Sequence, residues 1–176
     1  MKQIGYTFIF LLFVIIGIPF ILVKCHSSSS ISNKPPKVAE VLHTVKVYIT
    51  EEDKVVEMNF NEYLKGVLAA EMPASFHIEA LKAQAVAART YTYHKKHDME
   101  KSGVAIPEHK GADVCTNPAH CKAWISKDKA MDKWGILSAK NYWNKISSAV
   151  DSTANVIMTY ENEPIDAVFH STSSGK

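Results

Sequence analysis

The sequence has few cysteines, a single arginine and no large excess of charge of one sign. Three cysteines among 176 residues are too few for a framework of disulfides. The balance of 47% hydrophobic and 22% charged residues excludes a wholly disordered chain and a collagen. Basic and acidic residues number 20 and 18, and they are interspersed, so no basic stripe indicates a nucleic-acid-binding protein. The composition predicts one ordinary globular domain.

An uncharged and almost continuously apolar run occupies residues 4–23 (IGYTFIFLLFVIIGIPFILV). As a helix, twenty residues span about 30 Å, the thickness of the hydrocarbon core of a bilayer. A cleaved signal peptide has a shorter apolar region and a site of small residues, whereas Lys24 and Cys25 follow here. We therefore predict an uncleaved membrane anchor over residues 1–25. A signal peptide with a long apolar region is the alternative, and lysines on both flanks leave the orientation open.

Residues 26–37 (HSSSSISNKPPK) are rich in serine and proline and have no apolar period. This composition predicts a flexible stalk that ends in a semi-rigid Pro-Pro spacer. The folded domain is then expected over residues 38–176.

The first part of this domain has the pattern of a hairpin followed by a short helix. Apolar residues alternate over 45–49, and a second β-rich run covers 55–60, with an acidic turn between them. Asn61 is expected to cap a short helix that Pro73 stops.

The rest of the domain has the pattern of two helices and a second hairpin. An alanine-rich helix is predicted over 78–97, and small residues on several of its faces indicate a central helix packed on more than one side. A later amphipathic helix is predicted from one stripe, made of Ile136, Ala139, Trp143, Ile146 and Val150. Residues 156–160 and 165–170 predict the hairpin, with Asn162 in its turn and Asn155 just before it. The predicted fold class is α+β, with hairpins packed on the central helix.

Glu71 lies at the end of the first predicted helix, in the segment AAEMP. A carboxylate in apolar surroundings loses hydration, which favours the protonated form that a general acid needs near neutral pH. The alternative is a carboxylate that caps the next helix from its N-terminal side. On spacing alone, this capping arrangement is the commoner one.

Four segments of the sequence carry a resemblance to a known family. They are EYLKGV at 62–67, EMPASF at 71–76, EALKAQAVAARTY at 79–91 and HSTSSG at 170–175. Together they resemble the two motifs of the stage II sporulation protein D family, which includes the amidase enhancers of the SpoIID/LytB group. The resemblance covers residues 45–176. Because the family's domain continues past its second motif, we expect a partial domain that lacks its C-terminal part and is poorly stable and inactive alone.

The resemblance implies a lytic transglycosylase that cleaves the glycan strands of peptidoglycan, preferably strands already stripped of stem peptides. Glu71 stands at the position of the family's catalytic acid/base. The sugar's own 6-hydroxyl is the nucleophile in this reaction, so the second carboxylate of ordinary glycosidases is not required. No cofactor is expected for catalysis, and His170, Ser171 and Ser173 of the second motif are expected to bind the substrate.

The resemblance also implies a location and partners. We expect a membrane-anchored, extracytoplasmic domain in the intermembrane space of the sporangium, acting in the engulfment step of sporulation. The family's partners are the sporulation amidase called stage II protein P and the membrane protein called stage II protein M. The alternative function is a non-catalytic, glycan-binding enhancer of a cell-wall amidase. The carboxylate of Glu71 favours the enzyme, because an enhancer has no need of it.

Histidine and cysteine are concentrated in the irregular segment after the central helix. Cys115, His120 and Cys121 lie within seven residues, and His109 precedes them. Two thiolates and two imidazoles suit tetrahedral zinc, and some members of the resembled family bind a metal at this location. Four protein ligands leave no open position, so such a zinc ion would be structural. A Cys115–Cys121 disulfide and a pair of free thiols are the alternatives.

Overall fold

The computed structural model describes residues 42–170, together with Tyr6, Phe13 and Val14. Apart from these three residues, the predicted anchor over 1–25 and the stalk over 26–37 lie outside the described residues. No helix within the described part is both long enough and apolar enough to cross a membrane. The chain divides into two units, Met1–Pro36 and Lys37–Lys176, and the elements described below belong to the second.

Three strands form a sheet in the order β2-β1-β3. The first two, β1 (Thr44–Ile49) and β2 (Lys54–Asn59), are antiparallel and confirm the first predicted hairpin. The third, β3 (Val114–Cys115), pairs in parallel with β1 and places Cys115 beside Tyr48. The side chains of β1 that alternation predicts inside are all buried: Val45, Val47 and Ile49.

Helix α1 (Phe60–Glu71) follows β2 without a loop and ends before Pro73, as predicted. Its N-cap is Asn59, whose Oδ1 accepts hydrogen bonds from the backbone N–H groups of Asn61 and Glu62. The prediction of Asn61 as the cap is therefore wrong. The strand runs directly into the helix, so the side chain of its last residue is the one that reaches the free N–H groups of the first turn.

Helix α2 (Ile78–Ser102) is the predicted alanine-rich helix, and it extends beyond the predicted range of 78–97. Its N-cap is His77, whose Nδ1 accepts a hydrogen bond from the backbone of Glu79 at 3.3 Å. Gly103 ends the helix with a φ of +66°, a left-handed conformation that glycine adopts without strain. The expected end was too early because the polar residues after position 97 form the exposed last turn.

Helix α3 (Lys127–Ser152) packs against both α1 and α2, and α1 and α2 pack against each other. This arrangement confirms the prediction that α2 is packed on more than one side. Four members of the predicted stripe are buried: Ala139, Trp143, Ile146 and Val150. Ile136 is 98% exposed, so the prediction that it belongs to the apolar stripe of this helix is wrong. Gly135, at φ +69° and ψ 162°, interrupts the helix just before Ile136 and breaks the helical period.

The second predicted hairpin exists but is short. Its strands are β4 (Thr159–Tyr160) and β5 (Glu163–Pro164). The strand predicted over residues 165–170 does not form. Glu161 and Asn162, both with positive φ, close the turn early, so the second strand begins at Glu163. The pairing ends after one further hydrogen bond, from the N–H of Ile165 to the carbonyl oxygen of Met158 at 3.2 Å. Asn155 and Asn162 both have positive φ, as predicted. The α+β fold class is confirmed.

Arg89, the only arginine in the sequence, joins all three helices. It is 3% exposed, its Nη1 donates to Oδ1 of Asn61 at 2.9 Å, and its Nη2 donates to the carbonyl oxygen of Val150 at 3.0 Å. Its guanidinium also lies over the ring of Phe60. These contacts give the arginine a structural role at the centre of the domain.

Candidate functional site

The four predicted metal ligands are brought together by three different pieces of the chain. His109 ends a short 3-10 helix (Pro107–His109), Cys115 ends β3, and His120 and Cys121 lie in the turn that follows. Their ligand atoms all lie within 4.8 Å of one another. Three of the residues are buried, and the exposed one is His120.

Three separations within this cluster are close to those between the ligands of a tetrahedral metal site. Nε2 of His109 lies 3.1 Å from Sγ of Cys121, and Nδ1 of His120 lies 3.4 Å from Sγ of Cys115 and 3.6 Å from Sγ of Cys121. A tetrahedral zinc ion holds its nitrogen and sulfur ligands roughly 3.3–3.8 Å apart. Both cysteines are free thiols in the structure, so the alternative disulfide is not formed there. The cluster is able to hold a metal ion.

Burial controls the electrostatics of this cluster. It raises the pKa of the Cys115 thiol to about 11, against a backbone hydrogen bond at Asn117 that lowers it. Burial also lowers the pKa of His109, and the neighbouring His120 adds to this effect. Without a cation the site therefore favours a neutral thiol and a neutral imidazole. A bound metal ion would stabilise the thiolates that ligation requires.

The turn that carries the last two ligands is built by Asn117. Its carbonyl oxygen accepts hydrogen bonds from the backbone N–H groups of His120 and Cys121, at 3.1 and 2.8 Å. The adjacent Thr116 donates its backbone N–H to the carbonyl oxygen of Tyr48 in β1 at 3.0 Å. The ligand segment is thereby attached to the edge of the sheet.

Glu71 is the last residue of α1, and its carboxylate reaches the segment that follows the cluster. Oε1 of this half-buried residue accepts a hydrogen bond from the backbone N–H of Ala123 at 2.8 Å. Among the described residues, Oε2 accepts no hydrogen bond. The next helix is capped by His77 and not by Glu71, so the capping alternative is not what the structure contains. One carboxylate oxygen is therefore fixed by a backbone hydrogen bond, and the other is not.

Gly66 allows the segment after the cluster to approach α1 closely. A Cβ atom at this glycine would lie 2.2 Å from Nε1 of Trp124 and 2.6 Å from the carbonyl oxygen of Ile125. The carbonyl oxygen of Gly66 also accepts a hydrogen bond from the N–H of Ile125 at 3.3 Å. This close approach keeps Ala123 within reach of Glu71. Its sequence signal is the glycine in the segment EYLKGV, which the sequence analysis did not use.

Lys122 is a further charged residue beside Glu71, and sequence reasoning missed it. Its side chain is buried, with Nζ lying 3.7 Å from the ring centroid of Phe169 and 4.4 Å from that of Tyr91. Burial lowers the pKa of Lys122, whereas the negative charges of Glu71 and Asp166 raise it. Nothing in the local sequence distinguishes this lysine from the many others, because both rings come from distant parts of the chain.

The predicted substrate-binding residues are only partly described. His170 is exposed and directly follows Phe169, and within the described range no hydrogen bond or ion pair joins it to Glu71. Ser171 and Ser173 lie outside the described residues. Their role therefore stays a prediction.

Comparison with known proteins identifies relatives. The model of the SpoIID family, described as stage II sporulation protein, matches residues 48–160. Stage II sporulation protein D of Bacillus subtilis (strain 168) is 40% identical over 152 residues, which cover 84% of this chain and 43% of that protein. Its counterpart in Bacillus amyloliquefaciens is 38% identical over 150 residues, covering 85% and 42%. The amidase enhancer of Bacillus subtilis (strain 168) is 34% identical over 112 residues, covering 64% and 12%. The chain spans less than half the length of these relatives.

Proposed function

Because this chain belongs to the SpoIID family of stage II sporulation proteins, we propose that it contributes to a lytic transglycosylase of the cell wall, with Glu71 as the catalytic acid/base. Its substrate is the glycan strand of peptidoglycan, preferably stripped of stem peptides. The observation that supports this proposal is the carboxylate of Glu71, with Oε1 held by Ala123 and Oε2 left without a partner among the described residues. That arrangement suits a group that gives up a proton and regains it.

In the proposed reaction, Glu71 acts first as an acid and then as a base. Its free oxygen donates a proton to the glycosidic oxygen while the bond to the anomeric carbon breaks. The carboxylate then takes the proton of the sugar's 6-hydroxyl, whose oxygen forms the new bond to the anomeric carbon. The product is a 1,6-anhydro sugar, and Glu71 is again protonated. The N–H of Ala123 stabilises the carboxylate between the two steps.

The second candidate function is that of a glycan-binding enhancer that stimulates a cell-wall amidase. The similarity to a protein named amidase enhancer favours it. An enhancer needs a surface for glycan and for the amidase, but it does not need a carboxylate whose oxygen is free to exchange a proton. The geometry at Glu71 therefore supports the enzyme better than the enhancer.

We assign zinc to the cluster of His109, Cys115, His120 and Cys121. The two thiols, two imidazoles and their separations fit tetrahedral zinc, and four protein ligands leave no position for substrate. The ion would hold the segment that precedes Ala123, and thus support the hydrogen bond to Glu71. It takes no part in the proton transfers.

Location and partners follow from the same proposal. Residues 1–25 anchor the protein in the membrane, and the domain lies outside the cytoplasm, in the intermembrane space of the sporangium, during engulfment. Its partners are the amidase called stage II protein P, which supplies stripped strands, and the membrane protein called stage II protein M. The apolar run over 4–23 supports the anchor.

The experiment that tests the proposal compares the two candidate functions directly. In one assay, the full-length protein is incubated alone with peptide-free glycan strands. In a second assay, it is incubated with intact peptidoglycan and a purified cell-wall amidase. An enzyme releases short soluble strands from the peptide-free glycan by itself. An enhancer leaves these strands intact and only increases the release of stem peptides by the amidase.

A further inference from the structure

Lys122 stands out among the lysines because it is buried without a polar partner. It is 9% exposed, and among the described residues its Nζ forms no hydrogen bond and no ion pair. Lys65, which is also largely buried, instead pairs with both Glu62 and Asp151. A buried ammonium is costly unless an anion compensates for the lost hydration. An anion that binds from outside would supply the direct ion pair that Lys122 lacks among the described residues.

Two aromatic rings fix the position of this ammonium. Nζ of Lys122 lies over the ring of Phe169 at 3.7 Å and over that of Tyr91 at 4.4 Å from the centroids. Cation–π contacts offset part of the lost hydration but supply no negative charge. Nζ is not among the completely enclosed polar atoms of the described residues, so part of the ammonium faces solvent.

The cation lies between the two motifs of the candidate site. Lys122 directly precedes Ala123, whose N–H donates to Glu71, and the ring that covers Nζ directly precedes His170. Glu71 and Asp166 act on Lys122 electrostatically, but neither forms an ion pair with it. A substrate at Glu71 would therefore lie close to a positive charge that no ion pair neutralises.

The sugars of a peptidoglycan glycan strand carry one kind of ionisable group, the lactyl carboxyl on every second sugar. It is a neutral amide while a stem peptide is attached and a free carboxylate once the peptide is removed. We propose that Lys122 binds this free carboxylate and so selects stripped strands over peptide-bearing ones. The inference rests on the proposed function, since it names the group on the substrate that the Glu71 site recognises.

The test measures binding separately from cleavage. The full-length protein with Glu71→Gln is titrated with two short glycan strands, one with free lactyl carboxylates and one with the same carboxyls converted to methylamides. We expect the carboxylate strand to bind about tenfold more tightly, as one charge-assisted hydrogen bond allows. Adding Lys122→Met should weaken binding of the carboxylate strand only, and Lys122→Arg should retain part of the preference.

Lys129→Met is the matched control, because Lys129 is exposed and paired with Glu51. It should leave both dissociation constants unchanged. Equal binding of the two strands by the protein with an intact Lys122 would overturn the inference, and so would equal weakening of both strands by Lys122→Met. The proposed function is tested separately by cleavage. If the protein with Glu71 intact does not cleave glycan, the proposed function fails, whatever the two dissociation constants are.

Discussion

Glu71 is the residue on which the proposed chemistry depends, and glutamine is the substitution that isolates its role. Glu71→Gln keeps the shape of the side chain and an oxygen that accepts the N–H of Ala123. The amide cannot exchange a proton with the sugar. We expect glycan cleavage by the full-length protein to fall by about 10²–10⁴-fold, with an unchanged melting temperature. Product release and thermal unfolding measure the two quantities.

Glu62→Gln is the control for this substitution. Glu62 lies in the first turn of the same helix, is exposed and pairs with Lys65, which keeps its second partner, Asp151, when Glu62 is replaced. Cleavage should remain close to that of the unmodified protein. A lower melting temperature with nearly full activity in Glu71→Gln would show that Glu71 is a structural carboxylate.

Residue type and local motif point to Glu71 and to the four candidate metal ligands from the sequence, but not to the contacts that surround them. Lys122 has the sequence of an ordinary solvated lysine, and its burial depends on Tyr91 and Phe169, which only the folded chain brings to it. The hydrogen bond of Glu71 likewise goes to a residue 52 positions away. Such long-range contacts have no local signal.

The contact between α1 and the segment after the cluster is the element-level feature that positions Glu71. Gly66→Ala would place a Cβ atom against Trp124 and Ile125 and push that segment away from the helix. We expect a loss of about 1–3 kcal/mol in the free energy of unfolding. Cleavage should fall further than stability alone explains, because Ala123 would move from Glu71. Denaturant unfolding and product release at a temperature where the variant is folded measure both effects.

Gly103→Ala is the matched control for that substitution. Gly103 ends α2 at φ +66°, with no atom near the position of a Cβ, so alanine there strains the backbone without displacing a neighbour. It should lower stability by about 1 kcal/mol and leave cleavage of the folded protein unchanged. Equal losses of cleavage in the two variants would remove the positioning role of Gly66.

The ligand segment from His109 to Cys121 should depend on a metal ion for its order. We expect one equivalent of zinc to co-purify with the full-length protein. Chelation should increase amide hydrogen exchange in residues 109–121, because the metal joins three separate pieces of chain. Cleavage should weaken without being abolished, since the ion takes no part in proton transfer. Elemental analysis and exchange mass spectrometry measure these effects.

Cys115→Ser is the control for the metal, and it should release zinc and reproduce the increased exchange without a chelator. A native mass that shows a Cys115–Cys121 bond and no metal would contradict the zinc assignment.

Local periodicity predicts most of the elements and fails where one residue interrupts a pattern. The first hairpin and the long helix follow from alternation and from the spacing of small residues. The exposure of Ile136 does not, because it depends on the left-handed conformation of Gly135. The second hairpin differs from the prediction because Glu161 and Asn162, both with positive φ, close its turn early.

At the scale of the whole molecule, three helices meet at Arg89, and the edge strand β3 carries one of the four candidate metal ligands, Cys115. The fold class follows from the sequence because each pattern is local. The parallel pairing of β3 with β1 does not, since a two-residue strand has no recognisable period. That pairing nevertheless brings Cys115 to the ligand cluster. The predicted anchor and the predicted instability of residues 38–176 alone stay predictions.

The most direct test is whether oxygen from water enters the new chain ends during cleavage. The full-length protein digests peptide-free glycan in water enriched in oxygen-18, and the new chain ends are analysed by mass spectrometry. If Glu71 activates the sugar's own 6-hydroxyl, the ends are 1,6-anhydro sugars that contain no oxygen-18, and Glu71→Gln lowers their yield by about 10²–10⁴-fold. Reducing ends that carry oxygen-18 would show hydrolysis, and intact strands would show an enhancer; either result would contradict the account.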